Sequence, residues 1–336
     1  MKLSFSFIIP VYNRPNEIRE LLESLTNQSY ARHFEVVVVE DGSTISSLDV
    51  IAEFKDTLDI SYFEKPNSGP GDSRNYGMRL AKGNYFVILD SDCILPPEYL
   101  EKAEKSLENG FVHCYGGPDA AHDSFSDIQK AINHAMTSFL TTGGIRGGKK
   151  AVDKFQPRSF NMGISKEAFD TVGGYGNIHP GEDPDLTIRL WNKGYNTKLI
   201  PEAFVYHKRR INWHKFYVQV NKFGMVRPIL NKWHPETAKL SYWFPSIFCI
   251  GLMIAIVLSI FGVFWPIACY AFYCLLLFVD AFLKTKSLKV ALLALFATGV
   301  QFVGYGYGFL KSTIFTTFKK SAPQDIFPNL FFKTNS

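Results

Sequence analysis

A mostly parallel, doubly wound α/β sheet followed by membrane-spanning helices is the fold class this sequence predicts, and three observations carry it. Apolar runs of strand length alternate with helical patterns from Leu3 to Tyr115. Two of those runs end in clustered carboxylates, Glu40-Asp41 and Asp90-Ser91-Asp92. Beyond them, the forty residues from Phe244 to Leu283 carry a single charge, Asp280.

The elements follow in chain order. Leu3 to Tyr12 is rich in Phe and Ile and reads as a strand that stops at Asn13-Arg14-Pro15. Pro15 opens a helix over Asn16 to Gln28, with Ile18, Leu21, Leu22 and Leu25 on one face. Phe34 to Glu40 is a continuous Val-rich run, the pattern of a strand covered on both faces. A helix from Leu48 to Phe54 leads to a short strand at Ile60-Ser-Tyr-Phe63, and a helix from Gly71 to Leu80 leads to a strand over Asn84 to Leu89. A helix over Glu98 to Leu107 and a strand over Phe111 to Tyr115 complete the alternation, and Ser126 to Leu140 is again helical in pattern. Repeated βα units imply parallel pairing, because a short loop cannot return a chain to the start of a parallel neighbour. In such sheets ligands collect at the carboxyl ends of the strands.

A bilayer span needs about 20 apolar residues, so Phe244 to Leu283 holds two, with a turn expected at Trp265-Pro266. A third uncharged run, Val290 to Leu310, is long enough to span, although Gln301 and Gly299, Gly304, Gly306 and Gly308 weaken its helix propensity, and a buried or in-plane helix is the alternative. Charge sorts along the chain in the same way. Net charge is +5 over the whole chain and +5 over 244–336, so residues 1–243 are neutral; within them 1–206 carry −7 and His207 to Lys232 carry +7 with no acid. The expected division is therefore a globular domain over 1–206, a basic interfacial segment over 207–243, a membrane region over 244–320 and a tail over 321–336. His214 to Leu230 reads as a basic amphipathic helix lying on the membrane, with Trp213, Trp233, Trp243 and Trp265 suited to an interface belt. The positive-inside rule puts this collar, the Lys284 to Lys289 loop and the globular domain in the cytoplasm. A third span would leave Lys311, Lys319 and Lys320 outside, which the rule disfavours. The short apolar run after Lys2 lacks a small-residue cleavage site, so no signal peptide is expected.

Composition excludes several classes. Aromatics at 15% exclude a disordered chain, and five cysteines without a CxxC pair exclude a disulfide framework and a thiolate zinc site. A basic collar beside an acidic domain is unlike a nucleic-acid binder, whose basic face spreads over the fold. Asp90 and Asp92, in a turn after a buried strand, are spaced to hold a hard divalent cation through oxygen, and Mg2+ or Mn2+ would keep open positions for a diphosphate.

Taken together the motifs resemble the family 2 glycosyltransferases of GT-A fold. The matching pieces are Phe7-Ile-Ile-Pro-Val-Tyr-Asn-Arg14, Glu40-Asp-Gly-Ser43, Asn67-Ser-Gly-Pro-Gly-Asp-Ser-Arg-Asn-Tyr-Gly77, Asp90-Ser-Asp92, Phe160-Asn-Met-Gly163 and Gly181-Glu-Asp-Pro-Asp-Leu186 with Arg189. They run in family order over residues 4–210 and leave the tail uncovered. The resemblance implies a nucleotide-sugar pocket lined by Pro10, Tyr12, Asn13, Asp41, Arg74, Asp90 and Ser91, with Asp41 accepting from the base. It implies Asp92 as direct metal ligand, Asp90 at ribose or metal, and His207 where some members supply a further ligand. It makes Asp183 the general base and places Asn161, Met162 and Glu182 at the acceptor. Each residue also has a plainer reading. Asp41 could cap the turn before Gly42, Asn75 could cap a helix, and Arg74 could form a surface ion pair. His207 could be a satisfied structural histidine, and Glu182-Asp183 could serve only the dipole of the helix they open.

Two patterns are set aside. Gly143-Gly-Ile-Arg-Gly-Gly-Lys149 resembles a phosphate loop, but Lys150 stands where Ser or Thr should follow and a helical pattern precedes it; it reads as a mobile loop. Gln219-Val-Asn-Lys222-Phe223 departs from the QxxRW of processive synthases, which argues against a polymerising channel. The expectation is an inverting, metal-dependent transferase anchored in a bacterial inner membrane. It would move a sugar from a nucleotide-diphosphate donor to a lipid-linked or membrane-surface acceptor. A polyprenyl-phosphate acceptor, an inactive membrane adaptor and a nucleotidyltransferase are the alternatives.

Overall fold

A computed structural model of the chain describes residues 2–120, 125–143, 155–207 and 212–332. Lys208, Arg209 and Arg210 of the basic collar, and all of the Gly143–Lys149 loop after its first residue, lie outside the described residues. Contacts divide the chain into two units: Met1–His122 with Lys149–Lys208 and Phe331–Ser336, and Asp123–Gly148 with Arg209–Leu330.

The first unit opens with β1 (Phe5–Val11), α1 (Pro15–Thr26), β2 (Glu35–Asp41), α2 (Leu48–Ala52), β3 (Asp59–Lys65), α3 (Pro70–Leu80) and β4 (Tyr85–Leu89). Pro15 and Pro70 each sit in the first turn of their helix, where a missing N–H costs nothing. The short strand β5 (Cys93–Ile94), α4 (Tyr99–Glu108), β6 (Cys114–Gly116) and β7 (Asp119–Ala120) follow. After α5 (Asp127–Thr137) and α6 (Phe139–Thr142), which belong to the second unit, the chain returns as β8 (Asn161–Ser165), α7 (Lys166–Val172), α8 (Glu182–Asn192), β9 (Thr197–Leu199) and β10 (Val205–His207).

The main sheet runs β3-β2-β1-β4-β8-β6-β9. β1 pairs in parallel with β2 and β4, and β2 with β3, as the alternation predicts. The exception is β8, antiparallel to both β4 and β6. The strand expected over Phe111 to Tyr115 is shorter and shifted to Cys114–Gly116, since its first residues, Phe111 to His113, stay outside the ladder and partly exposed. Both sheet faces are covered: Phe7, Ile9, Val36 and Val38 pack toward α1, and Ile8, Val37, Val39 and Met78 pack on the other side. Two-sided burial explains why these strands read as unbroken apolar runs. A small sheet, β5-β10-β7, stands apart.

The second unit holds α9 (Trp213–Trp233), α10 (Phe244–Ile260), α11 (Trp265–Thr285), α12 (Leu288–Phe318) and the short α13 (Pro323–Ile326). The helix expected over Ser126 to Leu140 is broken: Ser138 takes an extended conformation and its hydroxyl caps α6 by accepting from Leu140 N. The turn expected at Trp265-Pro266 lies just earlier, at Phe261–Phe264, with Pro266 in the first turn of α11. Leu240–Ile260, Trp265–Thr285 and Leu288–Phe318 are each long and apolar enough to cross a membrane.

The glycines of α12 permit a close approach that propensity alone would not explain. A Cβ on Gly308 would lie 2.3 Å from Asn221 O, one on Gly304 would lie 2.6 Å from the Val220 side chain, and one on Gly224 of α9 would lie 2.2 Å from Tyr305 O. Small residues let the two backbones touch, and any side chain at Gly224 or Gly308 meets backbone that cannot yield. Gly308→Leu is therefore expected to separate α9 from α12 and lower the melting temperature of the detergent-purified protein. Gly299→Leu, where a Cβ meets nothing within 4 Å, should not. A thermal scan of both variants checks this.

Candidate functional site

β1, β2 and β4 run in parallel, so the segments that follow them emerge at one edge of the first unit. After β1, Asn13 adopts the left-handed region at φ 54°, which Asn tolerates better than most residues. Its Oδ1 accepts from Thr44 N at 2.8 Å and Ile45 N at 2.9 Å, and its own N donates to Ser43 Oγ at 2.8 Å. Asn13 thereby stitches the loop after β1 to the loop after β2. Tyr12 beside it is half exposed, and Pro10 is partly exposed at the end of the strand.

The Asp41 carboxylate is buried and turned inward. Oδ1 accepts from Ser68 N at 3.0 Å and from Lys65 Nζ at 2.7 Å, and Oδ2 accepts from Gly69 N at 3.0 Å. It fixes the entry to α3 instead of capping the turn at Gly42. An ionised carboxylate has about four acceptor positions, so three internal donors leave capacity for one more on Oδ2.

Arg74 of α3 is fully enclosed, which a surface ion pair would not be. Its Nη2 donates to Asp90 Oδ1 at 2.6 Å, its Nη1 reaches Glu182 Oε1 at 3.2 Å, and its guanidinium lies 5.3 Å from the centre of the Tyr175 ring. Glu182 Oε1 also faces His179 Nδ1 at 2.9 Å. Burial alone would raise the Glu182 carboxyl, but His179 and Arg74 hold it down at about 2. Asn75 does not cap its helix; its amide bonds both Tyr175 O and Tyr175 N, at 2.9 and 2.8 Å. Arg189 extends this pinning, pairing with Asp185 as the spacing predicts and donating to Val172 O and Gly174 O. The glycine-rich approach to α8 is thus held from both sides.

Removing Arg74 would leave the buried Glu182 carboxylate without its guanidinium and the partly exposed Asp90 without its partner. Breaking a buried pair by deleting one partner costs about 3–5 kcal/mol. Arg74→Ala should lower the melting temperature markedly, and Arg74→Lys should restore part of it; an Arg74→Ala protein as stable as the parent would contradict this reading.

Asp183, next to Glu182 in the first turn of α8, is half-buried with Oδ1 lacking a hydrogen-bond partner among the described residues. Burial and the Glu182 carboxylate push its carboxyl above the ordinary range, over the opposing pull of Arg74 and Arg158. A carboxylate raised in this way is a better proton acceptor than a solvated one.

Asp92, in the turn after β4, faces two groups. Arg14 Nη1 pairs with Oδ2, and Oδ1 lies 3.2 Å from His207 Nε2. His207 is delivered by the small sheet, where β10 pairs antiparallel with β5 and sets His207 opposite Cys93. Its ring stacks on Phe160 at 4.7 Å, and its Nδ1 is buried without a hydrogen-bond partner among the described residues. Burial would raise the Asp92 carboxyl, but His207 and Arg14 hold it well below the usual range. Donor atoms of Asp92, Cys93 and His207 all lie within 4.8 Å of one another. Cys93 is the least suited of the three: burial pushes its thiol up, and its Sγ is engaged by Phe160 O at 3.3 Å. A carboxylate oxygen beside an imidazole with an unused ring nitrogen is a hard and borderline donor pair that can hold a divalent cation such as Mn2+ and does not suit a soft metal.

The structure does not bring every expected residue to the site surface. Asn161 is fully buried in β8, accepting from Tyr99 OH at 2.5 Å and donating to Ala203 O at 2.8 Å. Met162 is equally buried, with Sδ accepting from Tyr175 OH at 3.2 Å. Both offer no surface to an acceptor, because β8 is an interior strand of the sheet. Ser91 is buried in the turn between Asp90 and Asp92. Arg14, His179 and Tyr175 carry no role from the sequence alone, although Arg14 closes the Phe7–Arg14 motif.

A family model described as Glycosyl transferase family 2 matches residues 6–173. An uncharacterized glycosyltransferase of Rickettsia bellii is 42% identical over 111 residues, 33% of this chain and 16% of its own length. The poly(ribitol-phosphate) beta-N-acetylglucosaminyltransferase TarS of Staphylococcus aureus is 38% identical over 109 residues, 32% of this chain and 19% of TarS. The chain thus spans less than a quarter of the length of these relatives. Among solved structures, the mannosyltransferase PcManGT from Pyrobaculum calidifontis, in complex with GDP-Man and Mn2+, superposes with a TM-score of 0.56 at 18% identity, covering 96% of this chain and 89% of that one. This likeness shows the fold.

Proposed function

Because the chain belongs to glycosyl transferase family 2, we propose that it is an inverting, metal-dependent transferase that moves a sugar from a nucleotide-diphosphate donor to a lipid-linked acceptor at the membrane surface. The observation that carries this reading is the convergence, in one unit, of Asp92 facing His207 and of Asp183 with a raised carboxyl, joined through Asp90, Arg74 and Glu182.

Asp92 and His207 would hold the Mg2+ or Mn2+, which when bound neutralises the charge of the diphosphate leaving group. The remaining work falls to the chain itself. The Asp41 Oδ2 lone pair is available to an N–H of the base, with Tyr12 exposed beside it. Arg74 keeps Asp90 oriented at the donor. Asp183 takes the proton of the acceptor hydroxyl as its oxygen bonds to the anomeric carbon, while the bond from that carbon to the diphosphate oxygen breaks. One displacement inverts the centre and needs no covalent nucleophile.

Asp183 must be ionised to act, so activity should fall as pH drops through its raised folded-state value. The acid limb of the kcat/KM profile is expected above the ordinary Asp range and should move in Asp183→Glu. A limb at the ordinary Asp value, unmoved in Asp183→Glu, would count against Asp183 as the base.

The acceptor class rests on the apolar helices of the second unit. With a radiolabelled donor and membranes, label should partition into the lipid extract; label confined to water-soluble products would overturn it. The acid-free, basic helix α9 favours one variant of the reading, a polyprenyl phosphate as direct acceptor. Its product would be a glycosyl phosphate cleaved by mild acid, which a glycoside would survive.

A further inference from the structure

Three helices of the second unit could cross a bilayer, yet the chain on either side of them belongs to the same unit. Apart from Asp123–Gly148, the chain up to His207 builds the first unit, and Phe331 and Phe332 are part of it again: Phe331 forms a β-bridge with Ile178, Phe332 N donates to Asn177 O at 3.0 Å, and the Phe332 ring lies against His179. Phe332 also fills the space over Gly69, where an added Cβ would lie 2.3 Å from its ring. A chain that leaves a water-soluble body and returns to it crosses the membrane an even number of times. The return segment is no crossing either, because the residues after α12 fold back on that helix, with the Phe327 ring 6.1 Å from Phe315.

One of the three helices therefore does not cross, and the packing identifies it. In α10 and α11, 11% of the most apolar window is buried, against 39% in α12, which also has the lowest hydropathy of the three. One face of α12 is closed by protein. Ala291 and Ala294 pack on Ala131 of α5, Lys289 Nζ pairs with Asp127 Oδ2 at 2.8 Å, and Gly304 and Gly308 seat α9. That partner helix carries Lys215, Lys222, Arg227 and Lys232 and no acid, which the hydrocarbon core would not accept. The opposite face of α12 exposes Leu292, Phe296, Val303, Tyr307, Ile314 and Phe318 as one apolar row.

We propose that α12 does not cross the bilayer but lies in the plane of one leaflet, its exposed row set into the headgroup and acyl boundary, and that α10 and α11 alone cross. The occupant of this surface is anionic lipid: an apolar row flanked by Lys311 and the cations of α9 is the pattern of an interfacial helix pair. This placement of α12 on the membrane does not depend on which sugar or acceptor the protein uses.

The test uses the full chain, with Cys249, Cys269 and Cys274 replaced by Ala, in vesicles of both orientations. Single cysteines at Lys2, Phe264 and Lys320 are challenged with a membrane-impermeant maleimide. Lys2→Cys and Lys320→Cys should label in the same orientation and Phe264→Cys in the opposite one. Lys320→Cys labelling together with Phe264→Cys, or all three labelling together, would overturn the proposal. A depth measurement supplies a second readout: nitroxides at Phe296, Val303 and Ile314 should report one shallow, common depth to oxygen and a polar relaxant. A profile deepest at Val303 and shallow at both ends would show a spanning α12 and overturn it.

Discussion

Asp183→Asn is expected to lower kcat by about 10^2–10^4-fold, the usual contribution of a positioned general base, while leaving donor affinity unchanged. The amide keeps the shape and removes the proton acceptor. It should not destabilise the fold. A carboxyl whose folded-state value is raised above its unfolded value favours folding at low pH and loses that contribution as pH rises through the folded value. At neutral pH the ionised Asp183, half-buried and next to the Glu182 carboxylate, therefore weighs against the folded state. Asp183→Asn should melt at or above the parent temperature at pH 7. Initial rates with saturating donor, together with a melting curve, check both parts. A variant that keeps more than a tenth of kcat would remove Asp183 from the mechanism.

Asp92→Ala is expected to abolish metal-dependent donor binding. Losing an outer partner of a metal ligand typically costs 10–100-fold in affinity, so loss of the ligand itself should exceed about 100-fold. Asp92 also holds Arg14 and faces His207, so its loss leaves both without their carboxylate. Asp92→Asn, which keeps the shape, separates the two effects: it should preserve the melting temperature better than Asp92→Ala while still failing to bind donor with Mn2+. Titration calorimetry with and without the metal reads this directly. Donor affinity equal to the parent's in both variants would show that Asp92 holds no metal.

The parallel core was legible because its chemistry is local. Val36 to Val39 and Phe86 to Leu89 are buried on both faces, and no polar alternation interrupts them. The carboxylates that end these strands could be placed on one edge from topology alone. What eluded the sequence depends on contacts between distant segments. β8 has the same apolar character whether it runs parallel or antiparallel, and its direction is set by pairing with both β4 and β6. That direction carries Asn161 and Met162 into the interior. Arg74 reads as a polar helix residue until Asp90 and Glu182 arrive from segments 16 and 108 residues away. The break at Ser138 turns on one serine hydroxyl that caps a new helix instead of continuing the old one. The glycines of α12 lower its intrinsic propensity and, by admitting α9, allow the packing that offsets the loss.

The central claim is metal-dependent use of a nucleotide-diphosphate sugar at the Asp92 and Asp183 site. Its most direct test is nucleoside diphosphate release by the purified full chain in detergent, with UDP-, GDP- and dTDP-sugars and with Mg2+, Mn2+ or a chelator. Release from one donor class, lost with the chelator and in Asp92→Ala and slowed in Asp183→Asn, is the predicted result. Release that persists undiminished in chelator and in both variants would contradict it.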